Sequence, residues 1–190
     1  MIEPFTDNFS PEVRRALLRW PAVPAAYGWL RLDRRARWFV REGLITHTRA
    51  VAFLNAHYAP DAQGRWFVQN GPQRAYVTLD LAPWVLTLEA NGQLVAQGGR
   101  PVHAPHTLVL TDCGAVLIAS ELGLGNVVDR DLEAFTQLLV AGPDAQDPHD
   151  VLAGTSAGSL RLGAQVLAVQ RMSRAALASH FGFICDPQPE

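Results

Sequence analysis

Gly154-Thr155-Ser156-Ala157-Gly158 fits the pattern Gly-x-Ser-x-Gly. That pattern sets a serine on a tight turn between a strand and a helix, where backbone N–H groups can hold an oxyanion. Ser156 is therefore the candidate nucleophile, and a serine hydrolase is one reading of the chain. The surroundings argue against it. Antiparallel strand signals precede Ser156, whereas the nucleophile turn needs parallel strands alternating with helices. His180 and Asp186 follow it in the reverse of the acid-then-histidine order. A run of Gly, Thr, Ser and Ala is also simply a flexible loop.

His103 and His106 stand three positions apart in Arg-Pro-Val-His-Ala-Pro-His. Such a pair could share one metal ion, but Pro101 and Pro105 forbid a regular helix, and no acid or thiol lies nearby in sequence. Cys113 and Cys185 are far apart and read as reduced structural residues. Neither a metal site nor a cofactor is expected.

The basic residues are more informative. All 16 are arginine. Without lysine there is no Walker A lysine and no Schiff base. An anionic ligand must then be met by guanidinium groups, which grip carboxylates and phosphates bidentately, and by backbone N–H groups. Arg74, Arg100 and Arg130 each open an element or adjoin a glycine-containing turn, and Trp66 and Trp84 could offer a flat face to a ring. These five are the candidate binding residues. The competing reading puts both tryptophans in the core and the arginines on solvated strand faces. Net charge is −2, which leaves no bulk footprint for nucleic acid. No apolar run reaches the length of a membrane span, and the first ten residues lack the basic and apolar regions of a secretion signal. The expected setting is cytoplasmic, without membrane or nucleic-acid partners. A small phosphorylated ligand, a protein partner or a second copy of the chain remains open.

The elements that would position these residues read as follows. Ser10-Pro11-Glu12 starts a helix that Pro21 and Pro24 close. Residues 28–32 and 37–42 alternate as a hairpin around Asp33 to Ala36, and Thr46 caps a helix running through Tyr58. Strand signals follow at 65–69, 74–81, 84–88, 93–97, 107–110 and 115–120, separated by turn residues that include Asn91-Gly92. They suggest one antiparallel meander. Asp129 opens another helix, 159–163 and 165–171 form a last hairpin, Ser173 caps a final helix, and the tail from Cys185 frays. Within this plan Arg-Trp-Phe-Val occurs twice, at 37–40 and 65–68. Two copies starting alike suggest an old duplication of a small α/β unit. The expected fold is α+β, with a helix–hairpin–helix half over 1–62 and a sheet-plus-helix half over 63–190 packed as one unit.

From about Tyr27 to Val140 the order of features resembles the bacterial family known as domain of unknown function 1285, as a distant cousin or a neighbouring uncharacterised proteobacterial family. The likeness rests on Trp38, Phe39, Gly43, Ile45 and the helix after them, then on Gly64, Trp66 and Pro72. It continues through Ala82-Pro83-Trp84, His106, Gly123-Leu124 and Arg130. The chain departs from that family at Arg35-Ala36, Gln73 and Leu81. The resemblance implies a duplicated α+β core, a C-terminal half similar to pleckstrin-homology folds, and a nucleotide-like ligand between the halves in signal transduction. Residues and resemblance together favour a regulatory or ligand-binding module without catalysis. A serine hydrolase and a protein-interaction module with peptide-recruiting edge strands are the alternatives.

Overall fold

The structure is a computed structural model that describes residues 9–20, 23–144 and 147–189. Pro21, expected to close the first helix, lies outside the described residues, as do Ala145 and Gln146 of the 141–150 loop. The chain forms two compact units, one of Met1–Leu81 with Ala178–Glu190 and one of Ala82–Leu177. The division expected after residue 62 falls inside a hairpin of the first unit, because Pro60 and Trp66 pair across it.

Unit 1 begins with α1 (Pro11–Arg19). The Ser10 hydroxyl accepts from the N–H of Val13, and Pro11 takes the first helical position, where its missing N–H costs nothing. The strands are β1 (Ala26–Leu32), β2 (Trp38–Val40) and β3 (Gly43–Leu44), then β4 (Tyr58–Pro60), β5 (Trp66–Asn70) and β6 (Gln73–Leu79). Between β3 and β4 runs α2 (Thr48–Ala56). Its cap is His47, not Thr46, with the imidazole Nδ1 accepting from the N–H of Ala50. The strands make one sheet in the order β3-β2-β1-β6-β5-β4. Phe9, Val13, Ala59, Phe67 and Tyr76 form one buried cluster. Trp38, Tyr58 and Trp66 form a second run of rings, with centroids 5.4 and 4.7 Å apart along it.

The repeated Trp-Phe-Val lies in strands in both copies, and the repeat extends to a whole hairpin. Asp33 donates its N–H to the carbonyl of Arg37, and Asp61 does the same to Arg65. The carboxylate of each aspartate accepts two backbone N–H groups of its turn and the Nε–H of the arginine four residues on, both at 2.7 Å. Leu32 pairs with Trp38 as Pro60 pairs with Trp66. The fourth turn residue is left-handed in each, Ala36 at φ 61° and Gly64 at φ 78°.

The same turn recurs in unit 2. Glu89 donates to Gln93 and Thr111 to Ala115, with Gly92 and Gly114 left-handed and Leu88↔Leu94 and Leu110↔Val116 paired beyond them. Unit 2 contains β7 (Trp84–Leu88), β8 (Leu94–Ala96), β9 (Arg100–Pro101), β10 (Thr107–Thr111), β11 (Val116–Ser120) and β12 (Gly123–Val127). A 3₁₀ turn at Asp129–Asp131 leads into α3 (Leu132–Leu138). Then come β13 (Leu139–Ala141), α4 (Pro148–Ala153), β14 (Leu160–Leu162) and β15 (Gln165–Met172). The sheet order is β13-β14-β15-β10-β11-β12-β7-β8-β9. The fold is thus α+β and dominated by antiparallel hairpins. The strands from Arg65 to Ser120 follow a meander-like order. They divide between two sheets, and parallel pairs β1·β6, β7·β12 and β10·β15 join strands distant in sequence.

The chain returns to unit 1 through α5 (Leu177–Phe181). The segment expected to fray is bonded instead. Ile184 donates to the Gly64 carbonyl at 3.0 Å, and Leu79 donates to the Cys185 carbonyl at 2.7 Å.

Candidate functional site

Each sequence-predicted residue has a definite place. Trp66 and Trp84 are 5% and 1% exposed, so their rings fill cores. The Trp84 indole N–H donates to the Leu122 carbonyl at 2.7 Å, the partner a buried tryptophan needs. Arg74 lies on β6 with its guanidinium 4.3 Å from the centroid of Phe67. Strand alternation puts Arg74 and Trp66 on opposite faces of the β5–β6 hairpin. In unit 2, Arg100 and Trp84 come together, the guanidinium 5.4 Å from the ring, and burial holds the Arg100 pKa below its ordinary value. Arg130 is exposed on the three-residue 3₁₀ turn, 3.5 Å from the Asp131 carboxylate.

Ser156 follows a helix instead of preceding one. α4 ends at Gly154, whose φ of 81° is the left-handed helix stop, and Arg171 caps α4 by donating to the carbonyls of Val151 and Leu152. The chain then runs as a loop into β14. A nucleophile turn needs the opposite order, strand then helix. Among the described residues no histidine hydrogen-bonds the Ser156 hydroxyl. His103 presents its backbone N–H to Glu121 at 2.7 Å, and His106 Nδ1 lies 2.9 Å from the Thr107 hydroxyl. Burial would raise the Glu121 pKa, but the N–H groups of His103 and Ala104 outweigh it and hold the carboxyl below its ordinary value. Among the described residues no three His, Cys, Asp or Glu side chains gather around a possible metal position.

A concave surface lies elsewhere, in unit 1. A groove of about 590 Å³ has its floor on β1, β5 and β6, at Ala26, Leu30, Val68 and Ala75. Phe53, Leu54 and Ala50 of α2 form one wall, with Ile45, Val40 and Trp29 completing it. Only Asn70 and Gln73 bring polar side chains. Trp29 and Leu30 also line an adjoining cleft of about 410 Å³ with Arg31, Arg41, Glu42 and Thr78. Local backbone geometry builds this junction. The β1·β6 register shifts between Ala26 and Leu30, and Gly28 sits at φ 70° within the shift. Such an irregularity re-aims the side chains beside it, and Trp29 is left 47% exposed. Opposite it, Arg41 takes φ 52°, uncommon for a residue with a side chain. The N–H of Arg41 donates to the Trp29 carbonyl at 2.8 Å, and its guanidinium lies 3.9 Å from the Trp29 ring centroid. Arg31 is held by Asp80, its Nη1 bonding both carboxylate oxygens at 3.1 and 2.9 Å. Arg41 has no ion pair among the described residues.

Reading the sequence as an alternating strand hides this junction. The signal was Gly28 within a strand pattern, which marks a bulge.

Two units of mixed helix and sheet, each organised by the same hairpin turn, define the class. Within it, the chain belongs to the family described as "Protein of unknown function (DUF2946)", whose model matches residues 10–188. Its fold is similar to that of a DUF1285 family protein from Silicibacter pomeroyi DSS-3. That match has 13% identity and a TM-score of 0.51, and it covers 76% of this chain and 81% of the other. A DUF1285 family protein from Shewanella baltica OS155 aligns at 15% identity and a TM-score of 0.44, covering 57% of this chain and 91% of the other. At these identities the likeness concerns the fold alone. A comparison with curated proteins returns no match.

Proposed function

We propose that the chain is a ligand-binding or regulatory module without catalytic apparatus of its own, and that its ligand enters the unit 1 groove. The observation that carries this reading is the Trp29–Arg41 junction. The register shift at Gly28 and the left-handed backbone of Arg41 place a half-exposed aromatic ring against a guanidinium at the end of an apolar groove. Unusual φ angles persist where the surroundings impose them, and such positions concentrate at binding sites. The volume suits a small molecule. No helix of the described residues is long and apolar enough to cross a membrane.

A nucleotide-like or otherwise phosphorylated ligand with a signalling role, held by arginines as the side-chain cations, is the alternative, and it calls for a site outside this apolar groove. The test is thermal shift of the full chain against a panel of nucleotides, sugar phosphates and organic acids. A ligand at a hundred times its Kd adds about 2.7 kcal/mol of stability. The groove reading expects Trp29→Ala to remove any shift. If Arg74→Ala, Arg100→Ala or Arg130→Ala removes it while Trp29→Ala does not, the site lies at the sequence-predicted arginines instead. Absence of any shift favours the protein-interaction reading. Stoichiometric fluorophosphonate labelling of Ser156 would restore the hydrolase.

A further inference from the structure

We infer that the unit 1 groove takes an amphipathic monocarboxylic acid, with its hydrocarbon part along Leu30 and Phe53 and its carboxylate on Arg41. The inference rests on the ligand-binding reading and narrows it to a chemical class.

Two observations decide the class. The first is the lining. Ten of the twelve groove residues are apolar, and three of them, Trp29, Val40 and Phe53, stand 47%, 41% and 37% exposed. Apolar surface gathered in a concavity gains by covering itself with hydrocarbon. A nucleobase would bury ring nitrogens and an exocyclic amine there with only the Asn70 and Gln73 amides as partners. The Gln73 amide already donates to the Pro24 carbonyl at 3.0 Å. Polar groups buried without partners cost free energy.

The second observation is charge. The cleft beyond Trp29 is lined by Arg31, Arg41 and Glu42. Arg31 is already neutralised by Asp80. Two positive and two negative groups leave no net charge, so a triphosphate finds no surplus of cations. A single negative charge finds one guanidinium without an ion pair among the described residues, that of Arg41. Stacking on Trp29 orients this guanidinium, and a guanidinium matches a carboxylate with two parallel hydrogen bonds. An uncharged amphiphile would gain nothing from Arg41.

The experiment is calorimetric titration of the full chain with decanoate (below its micelle threshold), decan-1-ol and ATP. Decanoate is expected to bind saturably, more tightly than decan-1-ol, and ATP not to displace it. Arg41→Gly keeps the left-handed backbone without strain. It is expected to weaken decanoate about tenfold, the worth of one charge-assisted pair, and to leave decan-1-ol unchanged. Ala50→Trp, which fills the groove from α2, is expected to abolish both; circular dichroism establishes that each variant is folded. Equal decanoate affinity in the parent and Arg41→Gly overturns the inference, as does decanoate binding no better than decan-1-ol. Should ATP bind in the groove and decanoate not, the carboxylate assignment fails and the ligand-binding reading stands. If nothing on the panel binds, both fail.

Discussion

Ala36 and Gly64 occupy the same place in two copies of one turn, both with a left-handed backbone. Replacing each with the other residue should move stability in opposite directions. Ala36→Gly removes a left-handed penalty of about 1–2 kcal/mol and adds unfolded-state entropy worth about half of that, for a net gain of about 0.5 kcal/mol. Gly64→Ala adds the same penalty and also drives a methyl into the Gly182 carbonyl, so it should cost more than about 2 kcal/mol. Urea denaturation midpoints check both. Asp61 anchors the same turn. Burial alone would raise its pKa, but bonds from Arg65, Tyr76 and Gln63 win, and the carboxyl is held below its ordinary value. A depressed carboxyl pKa contributes stability that is fully present above the unfolded value, about 3.9. That contribution is lost as pH falls through the lower folded value. Asp61→Asn should therefore lower stability at neutral pH and flatten its fall below about pH 4, read from melting temperature against pH. The aspartates stand in the sequence four residues before each repeated arginine, but that spacing marks a turn only when strands pair on both sides of it. The burial of Trp66 and Trp84 was one of two readings open in the sequence, because spacing gives a face and not a depth.

At the scale of elements, the hairpins were legible. Alternating apolar residues around Asp33–Ala36, Asn91-Gly92 and Cys113-Gly114 specify a local pairing that needs no distant partner. The parallel pairs were not, because residues such as Leu30 and Val77 meet across a long separation that no local pattern encodes. Two glycines separate backbone conformation from space. Gly28 has φ 70°, yet a Cβ there would meet nothing within 4 Å. Gly28→Ala should cost about 1 kcal/mol, the conformational penalty alone. Gly125, at the β7·β12 junction, has no positive φ, but its Cβ would stand 2.8 Å from Leu86 Cγ and 3.0 Å from Trp84 Cβ. Gly125→Ala should cost about 1–3 kcal/mol through overpacking, despite its better intrinsic conformation. Chemical denaturation of the two variants side by side checks the ranking. A larger loss at Gly28 would mean that the β1 irregularity sets more of unit 1 than the aim of Trp29.

At the scale of the molecule, the chain leaves unit 1 after Leu81 and returns at Ala178, so unit 1 is built from both ends while unit 2 is one continuous segment. The returning segment contributes to unit 1 at several points. Phe183 is buried, Ile184 and Cys185 bond the backbone at Gly64 and Leu79, and the Thr78 hydroxyl donates to Asp186 at 3.1 Å. The β7–β15 sheet requires nothing from residues beyond Leu177 to complete its strand pairs. A chain ending at Leu177 should accordingly lose protection where the tail docks, at Gly64–Trp66 and at Thr78–Leu79, while unit 2 keeps its own. Amide hydrogen exchange resolved by peptide measures this, because local and sub-global openings report separately from global unfolding. Retained protection at Leu79 would show the tail to be an accessory to unit 1. Simultaneous loss in the peptides of β10 and β11, inner strands of the second sheet, would show that the two units unfold as one cooperative block.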